Sequence, residues 1–240
     1  MRDGDRQFYG RRHGKKLRQN RAELLHSLLP RIAVPADAAC PAEPAGDAGP
    51  AVDPRSFFDR PVRQVWLEIG FGGGEHLAAQ AAAHPDVGLI GAEPYINGVA
   101  TLLSAVAREG LSNIRVLADD VRPLLARLQP ASLDRVFILF PDPWPKLRHQ
   151  RRRIVNAEVL DRLAAAMAPG AELRLATDHM DYARWMMAQL ARHPDFAWTA
   201  ETAADWRLPP ADWCATRYER KARSAGARPV FLLFRRRAAA

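Results

Sequence analysis

Two kinds of residue in this chain could do chemistry together: carboxylates at the ends of apolar stretches, and cations beside a proline-rich turn. Glu68 lies near the end of Gln64-Val-Trp-Leu-Glu-Ile69 and is followed by Gly70-Phe-Gly-Gly-Gly74. Glycines after a strand let the chain turn sharply and bring a ligand against the sheet edge and the start of the next helix. Alone, Gly-x-Gly-x-Gly also suits a plain tight turn. The spacing is not Gly-x-Gly-x-x-Gly, however, and Glu68 would repel a pyrophosphate while suiting an ammonium group. A second carboxylate, Glu93, ends the next apolar stretch nineteen residues after Gly74. That is close to the offset of about 20 expected of an acid that binds ribose hydroxyls. Glu68, Gly70, Gly72 and Glu93 therefore read as a nucleoside pocket without a phosphate cradle. S-adenosyl-L-methionine fits it better than a nicotinamide dinucleotide.

A third apolar stretch leads to Asp119-Asp120. A carboxylate there can accept a hydrogen bond from an adenine amine, or cap the helix that follows. After the fourth stretch comes Pro141-Asp-Pro-Trp-Pro145, whose three prolines exclude helix and strand and stiffen an extended turn. This sets Asp142, Trp144 and Lys146 at the carboxyl edge of a sheet, where ligands bind in such folds. Lys146, Arg148, Arg151, Arg152 and Arg153 then fall within eight positions, with no acid among them. A polyanion docked beside the pocket is favoured over a solvated charged turn.

The elements that must position these residues alternate. Strands are predicted at 64–69, 87–93, 113–117, 133–140 and 171–176, with helices at 74–84, 97–109, 121–128, 153–167 and 182–191 between and after them. Repeated strand–helix units mean an open parallel sheet covered on both faces. Strands at 196–199 and 229–234 have no predicted helix between them and are expected to pair antiparallel at one edge. Ahead of the domain at 61–240, residues 1–60 read as a basic arm, a short helix over 21–29 stopped at Pro30, and a solvated linker over 35–54.

The net charge of +8 points to a polyanionic partner, and the arm, with Phe8 and Tyr9 among its cations, reads as an RNA clamp. Cys40 and Cys214 have neither disulfide-framework nor zinc spacing, so a reducing cytosol is the simplest setting and no metal is expected. No signal peptide and no membrane-length apolar run occur, so no membrane is expected. The chain is read as a monomer or a homodimer.

Residues 140–153, Phe-Pro-Asp-Pro-Trp-Pro-Lys-x-Arg-His-x-x-Arg-Arg, resemble the signature of bacterial tRNA (guanine-N7)-methyltransferases. The resemblance extends over roughly 6–31 and 62–236. It takes in Gly-Arg-Arg-x-Gly-Lys at 10–15, Leu-Glu-Ile-Gly-Phe-Gly-x-Gly at 67–74, Ala-Thr-Asp at 176–178 and Thr-Arg-Tyr-Glu at 216–219. It departs at Gly73, where a larger residue is common, and in the length of 35–54. It implies an α/β fold, a class I methyltransferase Rossmann-like seven-stranded sheet, mostly parallel with an antiparallel edge hairpin. It further implies methylation of guanine N7 at position 46 in the tRNA variable loop, in the cytoplasm, with S-adenosyl-L-methionine as cofactor. Cofactor contacts then fall on Glu68, Glu93, Asp120 and Asp142. Substrate contacts fall on Lys146, Asp178, Thr216, Arg217, Tyr218 and Glu219, and RNA contacts on Arg148, His149, Arg151, Arg152 and Arg153.

Guanine N7 has a lone pair and no proton, so its methylation calls for placement and exclusion of water rather than a general base. Positive charge moves onto the purine as the methyl arrives, and Asp142 would stabilise it. Asp142 would also accept from the guanine N1–H and amino group, which makes it the candidate catalytic residue. Asp178 and Glu219 suit similar contacts, unless Asp178 caps the next helix and Glu219 pairs with Arg220 or Lys221. Trp144 or Tyr218 is placed to stack on an extruded base. The alternatives are an amino-methyltransferase, whose Asp-Pro-Pro-Tyr-like loop follows the same strand, and a non-catalytic RNA-binding module.

Overall fold

The computed structural model describes residues 10–39, 50–215 and 217–238, and all of their side chains but that of Tyr218. Apolar stretches that would be covered on both faces become parallel strands. These are β1 (Gln64–Ile69), β2 (Val87–Ala92), β3 (Ile114–Leu117), β4 (Leu133–Leu139) and β5 (Met167–Thr177). β6 (Phe196–Trp198) and β7 (Val230–Arg236) complete a sheet that, among the described residues, runs β3-β2-β1-β4-β5-β7-β6. β7 lies antiparallel to both β5 and β6. The edge hairpin therefore joins the sheet through its second strand, with β6 outermost.

The helices are α1 (Gln19–Ser27), α2 (Leu29–Ile32), α3 (Glu75–Ala83), α4 (Ile96–Glu109), α5 (Val121–Leu125), α6 (Ala157–Ala166), α7 (Met180–Arg192), α8 (Ala204–Arg207) and α9 (Arg217–Ser224). Alternation along the strands divides the core between two faces. Val65, Leu67 and Ile69 of β1 join residues of α5, α6 and α7, whereas Trp66 faces the side built from α2, α3 and α4. No helix among the described residues is long and apolar enough to cross a membrane.

Four expectations differ from what is found. Helix is not stopped at Pro30: α1 ends at Ser27, and Pro30 sits in the first turn of α2, where its missing N–H is not needed. The helix predicted over 153–167 begins only at Ala157, capped by the Asn156 side chain, which accepts from Val159 N at 3.1 Å; residues 153–155 are left free to pack elsewhere. The connection between β6 and β7 contains α8 and α9. α9 is so polar that no apolar periodicity announces it; its buried contacts are Glu219 and Ala222. The stretch 35–54 is not solvated throughout, since Ala38 and Pro54 are buried, and Arg127 donates to the carbonyls of Asp37 and Pro50 at 2.8 and 3.0 Å. Residues 40–49 and 1–9 lie outside the described residues.

The core also reaches back before residue 61. Phe57 and Phe58 are buried, and the Phe58 ring lies against Gly88, where a Cβ would come within 2.5 Å of it. Removing a buried phenyl group costs about 3–5 kcal/mol. Phe58→Ala should lower the unfolding free energy by that order in urea titration; a loss below about 1 kcal/mol would exclude this segment from the core.

Candidate active site

The ligand crevice of an open α/β sheet lies beyond the carboxyl ends of its strands, and here it is a cavity of about 450 Å³. Its walls come from Gly70 and Gly72 after β1, Glu93 after β2, Asp119 and Asp120 after β3, and Asp142 and Trp144 after β4. The glycine loop needs its glycines: Gly70, Gly72 and Gly74 have φ of 74°, 57° and 77°, where a side chain is strained. Gly98, in the first turn of α4, serves a different end. A Cβ there would meet the carbonyl oxygen of Gly72 at 2.1 Å, so only glycine lets α4 seat the loop.

Glu93 ties that loop down. It is buried, and its two oxygens accept the backbone N–H groups of Gly72 (2.7 Å) and Tyr95 (2.9 Å). Loss of water raises its pKa, and the charges of Asp142 and Glu68 add to the rise, while the two amides oppose it. The remaining lone pairs suit ribose hydroxyls. Asp120 caps α5 by accepting from Arg122 N at 2.9 Å, and its carboxylate is ion-paired with the Arg122 side chain. The capping alternative is thus realised at a residue that also lines the cavity. Asp119 pairs with Arg12 at 2.7 Å.

Asp142 differs from the other three. It has no hydrogen-bond partner among the described residues, and although it is exposed, partial desolvation by its neighbours raises its pKa. It follows Phe140 (φ 50°) and precedes Trp144 (φ 40°), both in the left-handed region that non-glycine residues avoid. Each such residue costs of order 1–3 kcal/mol, a cost characteristic of sites that hold a group in a chosen place. Trp144 is packed by the basic turn itself, with the Arg152 guanidinium 5.0 Å from its ring and His149 edge-on at 5.9 Å.

The arm joins the same site. Gly10 and Arg11 line the cavity, Ile96 N donates to the Arg12 carbonyl at 2.9 Å, and Asn97 bonds the backbone of Gly14 (2.8 Å) and Lys15 (2.7 Å). Arg151, Arg152 and Arg153 form another part of the wall. Lys146, Arg148 and Arg151 are exposed on the turn 146–152. Among these cations His149 loses protons readily; desolvation lowers its pKa first, then Arg152, Arg148, Lys146 and Arg151.

Several expected contacts fall elsewhere. Glu68 shares its strand face with Trp66, so it points to α3, where its Oε2 lies 2.7 Å from buried His76 Nδ1; it does not line the cavity. Glu219 is buried and accepts from Trp213 Nε1 and Arg223 Nε, so it braces α9 rather than facing a substrate. Arg153 borders the cavity but is 1% exposed, with its guanidinium over the rings of Tyr182 and Trp185. Arg217 stands beside the glycine loop, with Nε 3.7 Å from Glu75; a Cβ at Gly73 would meet only the movable ends of Glu75 (2.8 Å) and Arg217 (3.0 Å). Asp178 and Lys146 are exposed and line no wall of the cavity. Thr216 and the side chain of Tyr218 lie outside the described residues. Sequence reasoning missed the Glu68–His76 pair, the Arg12 strap and Gly98; only Gly98, a glycine inside a helix, carried a signal.

A sheet in this strand order, with a glycine loop and an acidic crevice at its carboxyl edge, is the fold of class I methyltransferases. A solved rRNA methylase from Streptococcus thermophilus has this fold (TM-score 0.50, 10% identity, 73% of this chain and 87% of that one). The profile of the family described as "Putative methyltransferase" matches residues 62–232. The chain is 52% identical over 234 residues to the tRNA (guanine-N(7)-)-methyltransferase of Rhodospirillum rubrum, covering 97% of this chain and 89% of that protein. It is 50% identical over 232 residues to the protein of the same description in Paramagnetospirillum magneticum, covering 96% and 93%. The chain belongs to the tRNA (guanine-N7)-methyltransferase family.

Because a Cβ at Gly98 meets backbone, Gly98→Ala should destabilise the fold by about 1–3 kcal/mol. It should also speed amide exchange at Gly72. Wild-type exchange at Gly72 would show that α4 does not seat the loop.

Proposed function

We propose that this chain methylates N7 of guanine at position 46 in the variable loop of tRNA, with S-adenosyl-L-methionine as the methyl donor. One observation carries the reading. Of the four carboxylates lining the cavity, Glu93, Asp119 and Asp120 are engaged by protein groups, and Asp142 is left uncommitted beside a wall of arginines. The likeness to relatives described as tRNA (guanine-N(7)-)-methyltransferases supports the substrate and the atom. The choice of position 46 rests on the resemblance of residues 140–153 to the bacterial family, and a cytoplasmic setting goes with it.

The residues present suit the donor. The Gly72 amide is spent on Glu93, so the loop offers a poor phosphate cradle, and an acidic wall favours a cationic ligand with hydroxyls. Gly70 and Gly72 would border the methionine part, Glu93 the ribose, and Asp120 the adenine. When bound, S-adenosyl-L-methionine supplies an electrophilic methyl group on a sulfonium.

The chain's own residues do the rest. Lys146, Arg148 and Arg151 hold phosphates as point and forked cations. The arm and the basic turn flank the crevice and restrict water. Asp142 accepts the guanine N1–H and amino hydrogens, which adenine cannot offer in that pattern, and balances charge that reaches the ring. No base removes a proton from N7, because none is there.

Asp142 must be ionised to act, and its pKa lies above the ordinary carboxylate value. Lowering the pH should therefore cut the single-turnover rate at a midpoint above the ordinary aspartate value. A midpoint at or below the ordinary value would contradict the assignment. Asp142→Asn should slow methyl transfer to unmodified tRNA by about 100-fold, assayed with labelled donor and nucleoside identification of N7-methylguanosine. Full activity with unchanged base preference would remove Asp142 from the mechanism.

A further inference from the structure

The basic run 146–153 does not act as one surface. Its last member, Arg153, is among the largest fully buried side chains of the described residues. Its Nε donates to the carbonyl of Pro143 at 2.9 Å, and its Nη2 pairs with Asp181 at the start of α7. The guanidinium carbon lies 4.9 Å from the Tyr182 ring centroid and 5.0 Å from that of Trp185. The neighbouring backbone is tied to the same helix by Trp185 Nε1, which donates to Val155 O at 2.6 Å, and to the start of α6 by Asn156 Nδ2, which donates to Arg153 O at 2.9 Å.

The partners of this guanidinium explain why it sits there. Pro143 is the residue after Asp142, in a turn whose prolines cannot donate backbone hydrogen bonds. Phe140 and Trp144 hold strained φ values on either side. Such a turn keeps its shape only if something outside it supplies a donor, and Arg153 is a planar donor clamped between two aromatic rings and a carboxylate.

We infer that Arg153 is a positioning residue, a buried pin that fixes the Pro141–Pro145 turn against α7 and so sets where Asp142 points. The RNA-facing part of the run is then Lys146, Arg148 and Arg151, with Arg152 shared between Trp144 and the cavity wall. The inference rests on the reading that Asp142 faces the reacting base.

A pin and a phosphate contact predict different kinetics. Arg153→Gln should lower the single-turnover rate at saturating tRNA by about 10- to 100-fold, since a small misplacement near the reacting group has effects of that order. The slope of log Kd for tRNA against log salt should stay at its wild-type value. Arg153→Lys keeps the charge but loses the fork and the stacking, so it should not restore the rate, although a lysine would serve a phosphate. Asp181→Asn, a half-exposed position that leaves the arginine in place, should slow transfer in the same direction and guards against a folding failure of the Arg153 variants.

The result that overturns the inference is a wild-type saturating rate in Arg153→Lys and Asp181→Asn, with the salt slope of Arg153→Gln reduced by about 0.7 or more, the loss of one phosphate contact. Amide exchange separates this outcome from a failure of the Asp142 reading. Residues 147–153 should exchange faster in Asp181→Asn while α3 does not change, and that comparison needs no methyl transfer at all. Wild-type exchange at 147–153 in both Asp181→Asn and Arg153→Lys would also sink the pin.

Discussion

Carboxylates withdrawn from water must find compensation, and this protein gathers several of them around one crevice. Glu93 is compensated by two backbone amides, Asp120 by Arg122 and a helix start, and, off the cavity wall, Glu68 by His76, while exposed Asp119 pairs with Arg12. Each compensation also fastens a segment: the glycine loop, the start of α5, the arm, and the β1–α3 connection. The acidic crevice is therefore the junction that orders the carboxyl edge of the sheet. A carboxylate left out of this scheme, Asp142, is the one available to something that enters.

The cations answer to the same constraint. With a net charge of +8 there are more than the folded chain needs for pairing, and burial sorts them. Arg12 and Arg122 are drawn to acids of the crevice, Arg115 is buried against Phe57, Phe58 and Asp59, and Arg153 is locked beneath the proline turn. What remains exposed beside the crevice is basic surface on two stretches that both border the cavity, the turn 146–152 and residues 11–18 of the arm.

Much of this was legible in the chain. Apolar stretches ending in Glu or Asp, spaced by helical segments, place acids at one sheet edge by topology alone, and β1 to β5 lie within a few residues of where periodicity sets them. The Pro141–Pro145 turn was equally plain, because proline's fixed φ and missing donor are local facts. α9 was not, since a helix whose buried contacts are a glutamate and an alanine carries no apolar stripe. Nor was the docking of residues 34–39 and 50–58, whose composition looks solvated until Arg127 and Gly88 are brought beneath it.

The sequence by itself determined the class of sheet, the position of the crevice and the residue types around it, because these follow from short-range periodicity and from glycine and proline geometry. Only the tertiary structure decided which member of each charged group meets solvent and which meets protein. Glu68 and Glu219 turned inward to His76 and Trp213, and Arg153 turned inward to Pro143 and Asp181. A run of like residues looks uniform along the chain. Burial distinguishes its members through partners that are distant in sequence, and no local pattern encodes those.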